Sequence, residues 1–178
     1  MNSKNKKSIF REFLGYLIVA AIAAVFAVLL RIFIIEPYVV PTPSMAPTLV
    51  VGDRVIVNKI AFKFSGMQRG DLIAFNSPFE EKYLVKRIIA LPGDKISFTQ
   101  SGVIYINGDK LEEYYLPEDI YPSYKNESFI LDEDSFFVMG DNRNNSSDSR
   151  VFGPIDKSAI FGKVIFIYGP FSRIGRVH

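Results

Sequence analysis

Hydrophobic and polar positions follow two regimes along the chain, and they meet near Glu36. Residues 13–30 read FLGYLIVAAIAAVFAVLL without a charge; Arg31 interrupts, and IFII continues to Ile35. About 20 apolar residues cross the hydrocarbon core of a bilayer, so this run predicts one transmembrane helix. Arg31 would reach the far interface, and Pro37 would stop the helix. Ala21-Ile22-Ala23 has the form of a leader cleavage site, but it lies in mid-span with no polar region before it. An uncleaved anchor is therefore expected. A second run of comparable length does not follow; the apolar stretch 164–168 is strand-sized.

Beyond Glu36 the helical period gives way to short β-like runs between turn signals. They cover residues 54–58, 71–75, 83–90, 95–99, 103–106, 135–139 and 160–168. Asn107-Gly108 between VIYI and DKL predicts a type I′ hairpin. Pro92-Gly93-Asp94 turns the chain after a long strand. The predicted fold class is all-β: a single folded-sheet or barrel-like domain from about residue 38 to 170, preceded by one N-terminal transmembrane α-helix. The expected division is a cytoplasmic basic tail (1–12), a transmembrane anchor (13–35) and an extracytoplasmic β-rich domain (36–178). Segment 111–124, LEEYYLPEDIYPSY, reads as a surface loop or hairpin extension. Its four tyrosines would pack on the core or, alternatively, sit at a membrane interface.

Charge changes this picture in one respect. The net charge is +2, but Lys4, Lys6, Lys7, Arg11 and Glu12 place +3 in the first twelve residues, which leaves −1 for the rest. Positive charge before the apolar run predicts a cytoplasmic N-terminus and a single-pass protein of the cell membrane. The remainder lacks the basic face of a nucleic-acid binder, so no nucleic acid is expected as partner.

Composition removes most familiar catalytic machinery. Cysteine is absent, which excludes disulfides, thiol nucleophiles and thiolate metal sites. The single histidine is His178, the last residue. A Ser-His-Asp triad or a His-rich zinc site is thereby excluded, and neither metal nor cofactor is expected. Three features remain. VPTPSMAPTL, residues 40–49, holds Ser44 on a proline-stiffened segment. Lys86 lies in YLVKRIIAL, where alternation places Leu84, Lys86 and Ile88 on one face. Apolar neighbours would desolvate the amine and favour its neutral form, which can act as a general base. GDNRNNSSDSR, residues 140–150, gathers two arginines, two aspartates and several hydroxyls. Taken singly, each is read as well by a plain loop serine, a strand lysine snorkelling to water and a polar turn.

The combination is more specific. In order, the chain carries PSMAPTL, GDRVIVNK, KRIIALPGD and GDNRNNSSDSR after the apolar run. This series closely resembles the bacterial type I signal peptidases, serine-lysine endopeptidases that remove signal peptides from exported proteins. The resemblance spans residues 36–168, and the anchor fits it. It implies a membrane-bound peptidase acting after small residues in Ala-X-Ala patterns, a monomer whose partners are exported preproteins and the lipid bilayer. By position it makes Ser44 the nucleophile and Lys86 the general base. Thr42 would help the Ser44 amide form an oxyanion hole, and Ser146 would orient the lysine amine. Arg87 and Asp141 would form a supporting ion pair, with Asp148 and Arg150 holding the site. Val40, Pro41, Met45, Leu49, Leu84 and Val85 would line the substrate pockets, and substrate would add as a strand beside residues 41–42 and 84–86. Asn144 stands where many members have aspartate, and Phe152 where tryptophan is commoner. Two other readings stay open at this point: a dedicated Ser/Lys processing peptidase of one secretion or pilin system, and a non-catalytic membrane-anchored binding domain.

Overall fold

A computed structural model describes residues 3–79, 82–117 and 122–177. His178 and Tyr121 lie outside the described residues. The chain divides into two units after Glu36. In the first, helix α1 runs from Ser3 to Phe33. Its segment Arg11–Phe33 is long and apolar enough to cross a membrane, 23 residues or about 35 Å at the helical rise. Side chains along it are exposed, as expected of a surface that meets lipid rather than protein.

The helix does not continue to Ile35 as the hydropathy pattern suggests. Strand β1 begins there (Ile35–Val39) and pairs with β2 (Arg54–Asn58) at the end of a sheet. Pro37 lies inside β1 rather than at a helix end, a position an outermost strand tolerates because proline has no N–H to give to a ladder. Sheet pairing, not the proline alone, ends the helical regime.

The second unit is mostly β. After a single short turn of helix, α2 (Ala61–Ser65), come β3 (Leu72–Asn76) and β4 (Tyr83–Ala90). Strands β5 (Lys95–Phe98), β6 (Ile104–Ile106), β7 (Asp109–Lys110) and β8 (Ser128–Ile130) form a separate four-stranded sheet in the order β7-β6-β5-β8. The chain then returns through β9 (Ser135–Met139), helix α3 (Ser149–Phe152) and β10 (Ile155–Asp156). The long β11 (Ile160–Gly169) and the short β12 (Gly175–Arg176) complete the described elements. The larger, curled sheet has the order β1-β2-β11-β3-β4-β9-β10, with β12 also on β11.

Local chemistry explains the turns. Asn107 and Gly108 both take positive φ, 55° and 96°, and join β6 to β7 through a two-residue loop, as a type I′ hairpin requires. Register then positions the site. On β3 and β4, Ile73 faces Lys86, Leu72 faces Arg87 and Ala74 faces Val85. One face of this pair carries Ile73, Lys86 and Ile88, and Ile88 opposes Val138 of β9. The other face carries Leu72, Ala74 and Val85, which pack with Val40, Met45 and Leu49. Six of the eight β4 residues are buried, because both of its faces are covered. The four-stranded sheet packs its own cluster, in which Ile96, Ile104 and Phe98 meet Phe137 and Met139 of β9.

Candidate active site

Ser44 sits in a one-turn 3-10 helix, Pro43–Met45. Pro43 takes the first helical position, where its missing N–H costs nothing and its fixed φ fits the turn. On either side of Ser44 the chain is pinned inward by Val40, Met45 and Leu49, all buried, while Pro41 and Thr42 stay exposed. Ser44 itself is half-buried. The serine is therefore held by apolar anchors within one to five residues of it, with its hydroxyl at the surface of the core.

The Lys86 amine meets that hydroxyl. Lys86 Nζ donates to Ser44 Oγ at 2.5 Å, across 42 residues of sequence. Ser44 Oγ also lies 3.3 Å from Thr42 Oγ1. Lys86 is only 2% exposed, on the face it shares with Ile73 and Ile88. Desolvation brings its pKa down from 10.5 to about 8; Asp148 opposes the shift, Arg150 favours it and Asp141 opposes it more weakly.

A polar frame surrounds the pair. Arg87, next to Lys86 but on the opposite face, donates to both oxygens of Asp141, from Nε at 2.9 Å and from Nη2 at 2.7 Å. Both partners are buried, so the bidentate geometry is what compensates their lost hydration. Thr48 Oγ1 donates to Asp141 Oδ2 at 2.5 Å, and Arg87 Nη1 to the Gly70 carbonyl at 2.7 Å. Asp148 caps α3 and accepts from Arg150 Nε at 2.8 Å, from Arg150 Nη2 at 2.7 Å and from the Gly140 amide at 2.9 Å. Burial opposes ionisation of Asp148, but these donors together hold its carboxyl below the usual carboxylate range.

The polar segment also grips the serine backbone. The Asn142 amide donates to the Ser44 carbonyl at 3.1 Å, and Asn142 Nδ2 to the Pro43 carbonyl at 3.1 Å. Gly140 lets the two segments approach, since a Cβ there would run into the Ser44 carbonyl and the Ser146 hydroxyl. Thus the structure brings Ser44, Lys86, Thr42, Arg87, Asp141, Asp148 and Arg150 into one neighbourhood. Ser146 lies beside Asp148 in the same neighbourhood. Its buried Oγ has no hydrogen-bond partner among the described contacts; it lies near enough to Asp148 to favour the carboxylate, but is not bonded to the Lys86 amine. Among the pocket candidates, Val85 is buried with Val40, Met45 and Leu49, whereas Leu84 is half-buried and Pro41 is exposed.

Sequence reasoning missed Thr48, Gly140 and Asn142 as individuals, although the last two lie inside the polar run it singled out. In the 111–124 segment it expected tyrosines packed on the core, as Tyr115 and Tyr124 are, but not their contacts with arginines. Tyr115 and Tyr124 are tucked in beside the arginines of the frame, while Tyr114 is 91% exposed. No group of three or more His, Cys, Asp or Glu side chains among the described residues is placed to hold a metal ion.

The model of one protein family, described as signal peptidase, peptidase S26, matches residues 13–169. The chain is 40% identical over 164 residues to a probable signal peptidase I-1 of Synechocystis sp., covering 88% of this chain and 82% of that one. It is 36% identical over 179 residues to signal peptidase IB of Staphylococcus aureus, covering 92% and 93%. A crystal structure of a signal peptidase I from Enterococcus faecalis aligns with TM-score 0.48 and 31% identity, over 55% of this chain and 95% of that one.

Proposed function

The chain belongs to the signal peptidase family, peptidase S26, and from that premise we propose that it cleaves exported preproteins with a Ser44/Lys86 dyad at the outer face of the membrane. It is a serine endopeptidase of the signal-peptide-processing class. The observation that carries the finer reading is the buried Lys86 amine at 2.5 Å from Ser44 Oγ, with its pKa lowered to about 8.

A serine hydroxyl is a weak nucleophile until a base removes its proton. Neutral Lys86 Nζ takes the Oγ proton as Ser44 Oγ bonds to the scissile carbonyl carbon. The carbonyl oxygen becomes an oxyanion, held by the Ser44 amide and the Thr42 hydroxyl. The amide of Ser44 lies in the first turn of its 3-10 helix, where N–H groups lack intrahelical acceptors. As the intermediate collapses, the C–N bond breaks and Lys86 gives the proton to the leaving amine. Neutral Lys86 then deprotonates a water, which attacks the Ser44 ester and releases the signal peptide's carboxyl end. The same proton returns to Ser44.

Substrate would bind in extended form beside residues 41–42 and 84–86, adding a strand. Val40, Met45, Leu49 and Val85 give that position an apolar floor, which suits alanine-sized residues before the cut. The α1 span would cross the bilayer with the basic tail inside, so that Ser44, eleven residues past Phe33, sits near the outer surface. A frame with every arginine bonded around a serine-lysine contact supports catalysis over simple binding.

The test is a pair of variants of the full chain in liposomes. Ser44→Ala and Lys86→Arg are each expected to lower preprotein cleavage by at least about 10⁴-fold while far-UV circular dichroism stays unchanged. Arginine cannot give up its proton, so a cleaving Lys86→Arg enzyme would refute the base assignment.

A further inference from the structure

The loop between β7 and β8 sends two side chains into the frame that the proposed chemistry leaves unexplained. Tyr115 lays its ring against Arg87, with the guanidinium carbon 3.9 Å from the ring centroid. The edges of that guanidinium serve Asp141 and the Gly70 carbonyl, so the ring covers a face that no hydrogen bond uses. Glu113 meets Arg143. Arg143 Nη1 donates to Glu113 Oε2 at 2.7 Å, and its Nη2 donates to Glu113 Oε1. The Tyr115 hydroxyl donates to the same Glu113 Oε1. Arg143 has no exposed side-chain surface, and burial disfavours its charge, yet Glu113 holds its pKa above the ordinary arginine value.

Both arms converge on residues 140 and 141. Arg143 Nε donates to the Gly140 carbonyl at 3.1 Å, and Tyr124 OH lies 3.2 Å from Arg143 Nη1. Arg87 holds Asp141. Gly140 and Asn142, on either side of that aspartate, are the residues packed against the Ser44 backbone. Packed hydrogen-bond networks of this kind shift as units, so a change at Glu113 or Tyr115 is felt at Ser44.

We propose that Glu113 and Tyr115 are positioning residues: a clamp from the β7–β8 loop that fixes Arg143 and Arg87, and through them the Gly140–Asn142 backbone that sets Ser44 against Lys86. This rests on the reading that Ser44 and Lys86 perform the chemistry. A clamp that served only to stabilise the fold would change the folded fraction and leave the folded enzyme's turnover intact.

The test uses full-length enzyme in detergent micelles with a preprotein substrate, and reads kcat, KM, the pH profile of kcat and the melting temperature. Glu113→Gln and Tyr115→Leu are expected to lower kcat about tenfold or more, with KM within about twofold. In Glu113→Gln the pH midpoint should also fall, because an uncompensated Arg143 cation favours the neutral amine of Lys86. Tyr115→Phe keeps the ring over Arg87 and should recover most of the loss seen in Tyr115→Leu. Tyr114→Leu, at the exposed neighbour, should behave as wild type. If Glu113→Gln does not fold, because a buried arginine has lost its partner, the Tyr115 pair decides. Turnover within twofold of wild type per folded molecule, with an unmoved pH midpoint, would overturn the clamp. Ser44→Ala is assayed in parallel. Should it still cleave, the dyad reading falls, and the clamp is then judged by the Lys86 titration midpoint from NMR of the labelled amine in Glu113→Gln. A shift supports it and an unmoved midpoint overturns it.

Discussion

At pH 7 a lysine of ordinary pKa is neutral in about one molecule in 3,000, whereas a pKa of about 8 leaves about one in ten neutral. That gain of about 300-fold in available base is the net contribution of the site, with burial of Lys86 its largest cause. It stops short of full neutrality because Asp148 and Asp141 pull the other way. The Thr42 hydroxyl, 3.3 Å from Ser44 Oγ and exposed, is the proposed second oxyanion donor. Thr42→Val keeps the shape and removes the hydroxyl. Its kcat should fall about 10²–10³-fold with little change in KM, measured by steady-state cleavage of a preprotein. A loss in KM alone would place Thr42 in substrate binding instead. At this scale the sequence pointed to lysine as the available base because no usable histidine is present, and that role is part of the proposal. The contact itself was not legible, since 42 residues separate the two side chains and only packing of the Ser44 turn, through Val40, Met45 and Leu49, against Val85 of β4 brings them together. Ser146 is buried beside Asp148 without a hydrogen bond to the amine, so its proposed orienting role rests on position in the motif alone.

Strand β4 was legible because it is eight residues long and bounded by a clear turn at Pro92-Gly93. Strands β8, β10 and β12 are two or three residues long, too short to show alternation, and none was predicted; β7, equally short, was legible only through the Asn107-Gly108 hairpin signal. Strand β1 was hidden for another reason: its first residue still belongs to the apolar run, so hydropathy assigned it to the helix. The second sheet likewise has no signature of its own, since its strands read like those of the first. A close approach occurs at Gly140, where the segment after β9 meets the Ser44 turn without room for a side chain. Gly140→Ala should push that backbone contact apart. It is expected to cost about 1–3 kcal/mol of stability and to lower kcat by more than tenfold, read by thermal melting and by turnover at a temperature where the variant is folded. An alanine enzyme with wild-type kcat would show that the contact does not set the serine.

For the whole molecule, the proposed reading is a catalytic β unit tied to a membrane by the apolar helix. Members of the family are membrane-anchored, and the single N-terminal helix suits that arrangement. Orientation is the proposed part, drawn from the +3 tail. The absence of native cysteine makes it directly measurable. Single cysteines at Asn5 and at the exposed Ser172 can be probed in intact cells with a membrane-impermeant maleimide. Ser172→Cys should label and Asn5→Cys should label only after lysis; the reverse pattern would invert the topology. The long N-terminal helix was legible because an uninterrupted apolar run is a strong and local sequence signal, whereas the division into inner tail, anchor and outer domain belongs to the proposal. Segment 111–124 was read as a surface loop for the same local reasons. The expected packing of its tyrosines on the core holds for Tyr115 and Tyr124; what composition concealed was that Tyr115 and Glu113 meet arginines distant in sequence.

The dependence of kcat/KM on pH tests the central claim most directly, because it reports the ionisation of the free enzyme's essential base. With Lys86 as that base, the wild-type rate should rise about tenfold per pH unit at low pH, bend near 8 and level off above it. A rate that is flat from neutral to alkaline pH, or one that bends only near the ordinary lysine value of 10.5, would contradict the assignment.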